Sequence, residues 1–204
     1  MIAIIDYGVG NLFSLRSSLA AVGAQAVVTG DSAVIRAADK LILPGVGAFA
    51  DAAALLRSTG LEKVVCQEAQ SGKPLLGICL GMQLLFDKSF EYGEHVGLGL
   101  IPGQVTDLRQ GLGDPTLKVP HMGWNSLEIL RQDPIFRYFR DGEYVYYVHS
   151  FYATGCTGNT LAVSQYGAAS VTGVVRSGHV YGTQFHPEKS GDAGLRLLKA
   201  FSEL

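Results

Sequence analysis

At 204 residues, with 48% hydrophobic residues and 26 glycines, the chain is long enough to bury roughly 70% of its unfolded surface and reads as one turn-rich domain over 1–204. A formal net charge of −2, with no run of lysine or arginine, excludes nucleic acid and anionic membrane as expected partners. Three cysteines without a C-x-x-C pair, and five scattered histidines, provide no disulfide framework and no expected metal or cofactor site. The odd cysteine count suits a reducing compartment. Met1–Ile5 is too short an apolar run for a leader and has no basic segment before it, so the expected location is the cytoplasm.

Taken in chain order, the first half alternates strand and helix. Ile2–Ile5 is a short apolar strand, and Asn11 is placed to cap a helix through Leu12, Leu15, Leu19 and Val22. Ala26–Val28 and Lys40–Leu43 are the next strands, with a short helix after Asp31 between them. Pro44-Gly45-Val46-Gly47 is a tight turn, followed by helices over Ala48–Leu56 and Leu61–Ala69. Pro74–Ile78 is a fourth, buried strand, and Leu80–Lys88 continues as a helix with Leu84, Leu85 and Phe86 on one face. This order predicts an α/β fold: an open, mostly parallel sheet flanked by helices, with ligands outside the carboxyl ends of the strands. After Glu91 the chain turns β-rich. Strands are expected at Leu98–Ile101, Val105–Leu108, Trp124–Leu130, Tyr144–Val148, Leu161–Val163, Val171–Val175 and Val180–Phe185, and a closing helix at Gly191–Phe201.

Gly77-Ile78-Cys79-Leu80-Gly81 sets a lone cysteine between two glycines where a strand enters a helix, the layout of a nucleophile elbow. The glycines allow strand and helix to approach closely, and unpaired N–H groups at the helix start favour thiolate over thiol. A small buried core cysteine is the alternative reading of this segment alone. About a hundred residues downstream, His186-Pro187-Glu188 follows a strand. Residues two apart on an extended chain share a side, so the imidazole and carboxylate can pair, and Pro187 cannot continue a central ladder. Cysteine, histidine and carboxylate together are the set that activates a thiolate. The Pro44–Gly47 turn, with two glycines, can direct backbone N–H groups toward an oxyanion.

Other motifs carry less. Gly8-Val9-Gly10-Asn11-Leu12-Phe13 imitates a dinucleotide fingerprint, but Phe13 stands where a third glycine is needed. His95, His121, His149 and His179 lack a carboxylate at triad spacing and read as structural or surface residues. Tyr144, Tyr146 and Tyr147 read as packing residues, as do Cys66 and Cys156.

The elbow with Met82-Gln83, taken with His186-Pro187-Glu188, resembles the triad (class I) glutamine amidotransferases. Asp6-Tyr7-Gly8-Val9-Gly10-Asn11-Leu12, Pro120-His121-Met122-Gly123-Trp124-Asn125 and Lys189 narrow the resemblance to the glutaminase subunits of imidazole glycerol phosphate synthase in histidine biosynthesis. The resemblance implies that glutamine is the substrate, with Cys79 as nucleophile, His186 as acid and base, and Glu188 as its orienting partner. It also implies an oxyanion site from the N–H of Leu80 and one from the Gly45–Gly47 turn (Val46 or Gly47), with Gln83 and Ser150 on the substrate side. Tyrosine is frequent in such proteins where Phe151 stands, so Phe151 is assigned no binding role. The implied partner is a (β/α)₈-barrel cyclase subunit receiving ammonia, met by Asn11, Trp124 and Lys189. A flipped peptide in the Pro44–Gly47 turn, righted by that partner, would explain the low activity of such subunits alone. Other triad glutaminases, serving pyridoxal phosphate or anthranilate synthesis, and a silent regulatory subunit are the alternative readings.

Overall fold

The computed structural model describes residues 1–204. All four residues of β1 (Ile2–Ile5) are buried, as expected of a strand covered on both faces. It lies between β2 (Ala26–Thr29) and β3 (Lys40–Leu43), parallel to both. Beyond β3 the sheet continues through β4 (Leu75–Ile78), and the final strand, β14 (Val180–Thr183), adds parallel to it. Antiparallel strands β13 (Ala169–Ser177), β12 (Thr160–Tyr166) and β9 (Glu128–Ile129) complete an eight-stranded sheet in the order β2-β1-β3-β4-β14-β13-β12-β9. The expected mostly parallel sheet with a β-rich second half is present.

Alternation along β1 divides the core. Ile2 and Ile4 point to one face, where Leu15 and Leu19 of α1 (Leu12–Ala21) meet Leu197, Leu198 and Phe201 of α6 (Gly191–Ser202). Ala3 and Ile5 point to the other, against α3 (Phe49–Ser58) and α4 (Leu61–Gln70), with Phe49, Leu56, Leu61 and Val65 buried. The short α2 (Ser32–Ala37) is capped by Asp31, whose side chain accepts from the Ala33 N–H at 2.7 Å. The corresponding cap at α1 is not made: the Asn11 side chain forms no capping bond. No helix is long and apolar enough to cross a membrane.

The helix expected over Leu80–Lys88 is shorter. It ends as α5 (Leu80–Leu84), and Phe86–Ser89 is a strand, β5. Every residue from Leu80 to Phe86 is buried, so the run has no exposed face and its periodicity cannot separate helix from strand. Tertiary pairing decides instead. Leu98 donates to the Leu84 carbonyl and Leu100 and Ile101 to that of Leu85, while β5 pairs with β7 (Ile101–Asp107) and β6 (His95–Val96). β7 takes up Ile101 and Val105–Asp107 of the strands expected at Leu98–Ile101 and Val105–Leu108, whereas Leu98–Leu100 lie in no strand and Leu108 opens a 3₁₀ turn. Conversely, Trp124–Leu130 is split: β8 (His121–Ser126) pairs with β10 (Tyr144–His149), whereas β9 belongs to the large sheet. Leu127, buried between them, takes the corner. A strand that sequence patterning did not mark, β11 (Phe151–Thr154), pairs with β7.

Candidate active site

Three neighbouring parallel strands, β3, β4 and β14, end side by side, so the segments that follow them converge. The Cys79 N–H bonds the Thr183 carbonyl at 2.7 Å, tying the elbow to β14. Close contact at the elbow depends on glycine. A Cβ on Gly81 would lie 1.9 Å from the Leu43 carbonyl oxygen, and one on Gly77 would lie 2.7 Å from the Gly81 oxygen. α5 can therefore sit directly on β3 and β4 only with hydrogen at both positions. Cys79 itself has φ 55° and ψ −110°, a strained conformation for a residue with a side chain, of the kind found at catalytic turns. With only five residues in α5, the support it offers the sulfur comes from the free N–H groups of its first turn, beginning at Leu80, rather than from a long dipole.

His186 lies beyond the end of β14, held by its N–H to the Tyr146 carbonyl at 3.0 Å, and Ser190 Oγ donates to its carbonyl at 2.7 Å. Its Nδ1 is 2.8 Å from Glu188 Oε1, and both side chains are 3% exposed. This leaves Nε2 for the Cys79 sulfur. Burial pushes the imidazole pKa down, but its interactions with the Cys79 sulfur and the Glu188 carboxylate outweigh burial and raise it to about 9. The imidazolium is thus the favoured form at neutral pH, poised to give a proton to a leaving group. Glu188 Oε2 is buried without a protein partner, beside a small cavity of about 10 Å³ that Asn11 also lines.

In front of the sulfur lies a cavity of about 330 Å³, the size of a small polar molecule. Of the residues singled out in the sequence, Val46, Gly47, Cys79, Leu80, Gln83, Ser150, His186 and Lys189 line it. Val46 and Gly47 are exposed at its rim, on a turn anchored by the Tyr7 hydroxyl, which donates to the Pro44 carbonyl at 2.8 Å. Burial and the nearby Cys79 sulfur raise the Tyr7 phenol pKa, so it serves as a donor. Gln83 spends its Nε2 on the Phe151 carbonyl and on Gln184 Oε1, leaving Oε1 to accept from a ligand. Trp124 is not in the cavity; it is 55% exposed on β8, edge-on to Tyr146. Phe151, given no role from sequence, does line the wall.

Two features escaped the sequence reading. Glu91 lines the cavity, with Oε2 accepting from the Phe49 N–H at 2.6 Å and its carboxyl pKa raised by partial burial. It puts a carboxylate where a cationic substrate group can reach it, and nothing in its surrounding sequence marks it. Among the histidines read as structural or surface, His179 is exposed and His95 half-buried, whereas His121 and His149 are buried and bonded to each other at 3.0 Å. His149 also lines the cavity.

This constellation, a strained cysteine beside an imidazole–carboxylate pair at the end of one cavity, suits thiolate attack on an amide or ester carbonyl. The family model for class I glutamine amidotransferases matches residues 3–203. An imidazole glycerol phosphate synthase subunit HisH from Oceanobacillus iheyensis is 47% identical over 205 aligned positions, covering 100% of this chain and 99% of that protein. The subunit of the same name from Lacticaseibacillus casei is 50% identical over 204, covering 100% and 96%. Among solved structures, a glutamine amidotransferase superposes with a TM-score of 0.76 at 19% identity over the full length of both chains. PurLQS from Thermotoga maritima gives 0.72 at 21% identity over 98% and 96%. Those two likenesses establish the shared fold, and the long, close sequence matches establish kinship: the chain belongs to the class I glutamine amidotransferase family, among the HisH subunits of imidazole glycerol phosphate synthase.

Proposed function

We propose that the chain is the glutaminase subunit of an imidazole glycerol phosphate synthase, hydrolysing glutamine to glutamate and ammonia with Cys79, His186 and Glu188. The observation that carries this reading is the pairing of His186 with Glu188 beside Cys79 at the end of a cavity sized for an amino acid. The Cys79 thiolate adds to the glutamine amide carbon, and the oxyanion takes N–H groups from Leu80 and from the Val46–Gly47 turn. His186 passes its Nε2 proton to the leaving nitrogen as the C–N bond breaks, giving ammonia and a thioester. It then takes a proton from water, whose oxygen attacks the thioester. Collapse releases glutamate and restores the thiolate. Gln83 Oε1 and Ser150 contact the substrate, and Glu91 faces its α-ammonium group.

Ammonia freed into neutral water is protonated and loses its nucleophilicity, so the reaction is productive only beside an acceptor. The partner is a (β/α)₈-barrel cyclase subunit, seated on the face carrying Asn11, Trp124 and Lys189. Support comes from the exposure there of Trp124, Met122 at 63% and Phe13 at 81%, an apolar set of the kind that interfaces cover. Partner binding reorients the Pro44–Gly47 turn to complete the oxyanion site. Gly47, at φ 95°, lets the peptide before it flip at little steric cost.

The test is glutamate release by the purified chain, alone and with a cyclase subunit and its ribotide ligand. A large rise with both is expected. Full activity of the chain alone would eliminate the gated turn, and no activity in either arm would eliminate the assigned reaction or the assigned partner.

A further inference from the structure

Gln184 is the first residue after β14. It is wholly buried and does not line the cavity, yet its Nε2 lies 3.8 Å from Cys79 Sγ. Its neighbours settle which end of its amide faces the sulfur. The Phe151 carbonyl can only accept, so Gln83 presents Nε2 to it at 2.9 Å. The second hydrogen of that nitrogen points at Gln184, 3.1 Å away, which must answer with Oε1. Gln184 is left with Nε2 toward the sulfur.

The same Phe151 carbonyl accepts from His149 Nδ1 at 2.9 Å. His149 therefore carries its proton on Nδ1, and its Nε2 accepts from His121 Nδ1 at 3.0 Å. His121 Nε2 in turn accepts from the Asn125 amide at 3.3 Å. These tautomers need neutral rings, and burial lowers His121 to about 4 and His149 to about 3. The His121 ring is clamped between those of Tyr147 and Tyr166, with centroids 4.7 and 4.1 Å away. Asn125 Nδ2 also donates to the Gln165 carbonyl at 2.9 Å, which fixes the sense of its amide. Tautomers are thus set from Asn125 on β8 to the Phe151 carbonyl, and amide senses from that carbonyl through Gln83 and Gln184 to the sulfur.

We propose that Gln184 is a positioning residue for the nucleophile, donating an N–H to the Cys79 sulfur, with its amide held in that sense by Gln83, the Phe151 carbonyl and the His121–His149 pair. The opposite wall gives the sulfur no such help: the Val148 carbonyl, 3.9 Å away, can accept from a thiol but repels a thiolate. The Gln184 N–H offsets that preference and holds the charged sulfur toward the cavity. A flipped Gln184 would present a second oxygen and reverse the effect. The proposal rests on Cys79 being the nucleophile.

The experiment is the pH dependence of Cys79 alkylation by iodoacetamide, followed on the Cys79 peptide by mass spectrometry. Gln184→Met keeps similar bulk and removes the donor. Its alkylation midpoint is expected about one pH unit higher, with roughly tenfold slower alkylation at neutral pH and kcat lowered more than KM, because hydrogen bonds to charged groups are the stronger kind. His121→Phe keeps the stack and removes the donor to His149, and it should move the midpoint in the same direction by less. An unmoved midpoint in folded Gln184→Met overturns the proposal. If that variant does not fold, an unmoved midpoint in His121→Phe overturns it. Thiol titration needs no glutamine, so failure of the glutaminase reading would show separately, as normal alkylation without glutamate release.

Discussion

His186 and Glu188, two residues apart, are joined by a 2.8 Å bond between Nδ1 and Oε1 although a proline stands between them. Pro187 opens a single 3₁₀ turn, Pro187–Lys189, that brings the carboxylate back beneath the imidazole. Both side chains are nearly inaccessible, so their charge interaction is little screened by solvent. Glu188→Gln keeps the shape and removes the charge. Glutamine turnover is expected to fall by about 10²-fold or more, the range of a disabled general acid and base. The His186 titration followed by NMR should drop from its position near 9. An unchanged titration would show that the carboxylate does not hold the imidazolium.

The histidines predict stability that declines on both sides of neutrality. An unfolded histidine titrates near 6.5, whereas His186 keeps its proton to about 9. Its contribution is full below 6.5 and is lost as pH rises through 9. For His121 and His149, lowered to about 4 and about 3, the sign is opposite: the contribution is full above 6.5 and is lost as pH falls toward those values. Thermal midpoints measured from pH 4 to 10 should therefore peak near 6.5. His121→Phe should flatten the acid limb, and an acid limb as steep as that of the native chain would refute the assignment.

Cys79 combines a reactive side chain with an unfavourable backbone. Alanine and glycine at this position are both expected to abolish glutamate release, since neither carries a nucleophile. At φ 55°, glycine avoids the strain that alanine retains, which is worth on the order of 1–3 kcal/mol. Cys79→Gly should be the more stable of the two in urea denaturation, by about 1 kcal/mol or more, reversing the order usual within helices and strands. Equal midpoints would mean that the turn relaxes once the sulfur is gone.

Glu91 supplies the negative charge on the cavity wall. Glu91→Gln preserves an acceptor for the Phe49 N–H and discards the charge. KM for glutamine is expected to rise roughly tenfold with kcat little changed, the signature of an interaction made equally in ground and transition states. A fall in kcat at constant KM would place Glu91 in the chemistry instead.

The first strands, the closing helix, the turn at Cys79 and the His186–Glu188 pair were legible because each is a local statement. An apolar run of four residues between turn signals is a buried strand, and glycines flanking a cysteine permit one tight strand-to-helix turn. The reading failed where local pattern underdetermines structure. Leu80–Phe86 is buried throughout, so only the carbonyls of Leu84 and Leu85, taken by Leu98, Leu100 and Ile101, could end the helix there. Asn11 has the composition of a cap, but its side chain makes no capping bond.

What the sequence by itself determined was the class of chemistry and the strands that bear it: Cys79 after one strand, His186 and Glu188 after another. Only the tertiary structure decided that these strands are adjacent, and with them everything that crosses between them. Gln184 meets Cys79 across 105 residues, Glu91 reaches the cavity from the turn between β5 and β6, and two histidines read as structural or surface residues join in a bonded pair of which His149 lines the cavity. Periodicity and turn chemistry encode dihedral angles and burial over a few residues. Which buried donor meets which acceptor depends on the order of strands in the sheet, and that order is set by packing of the whole core.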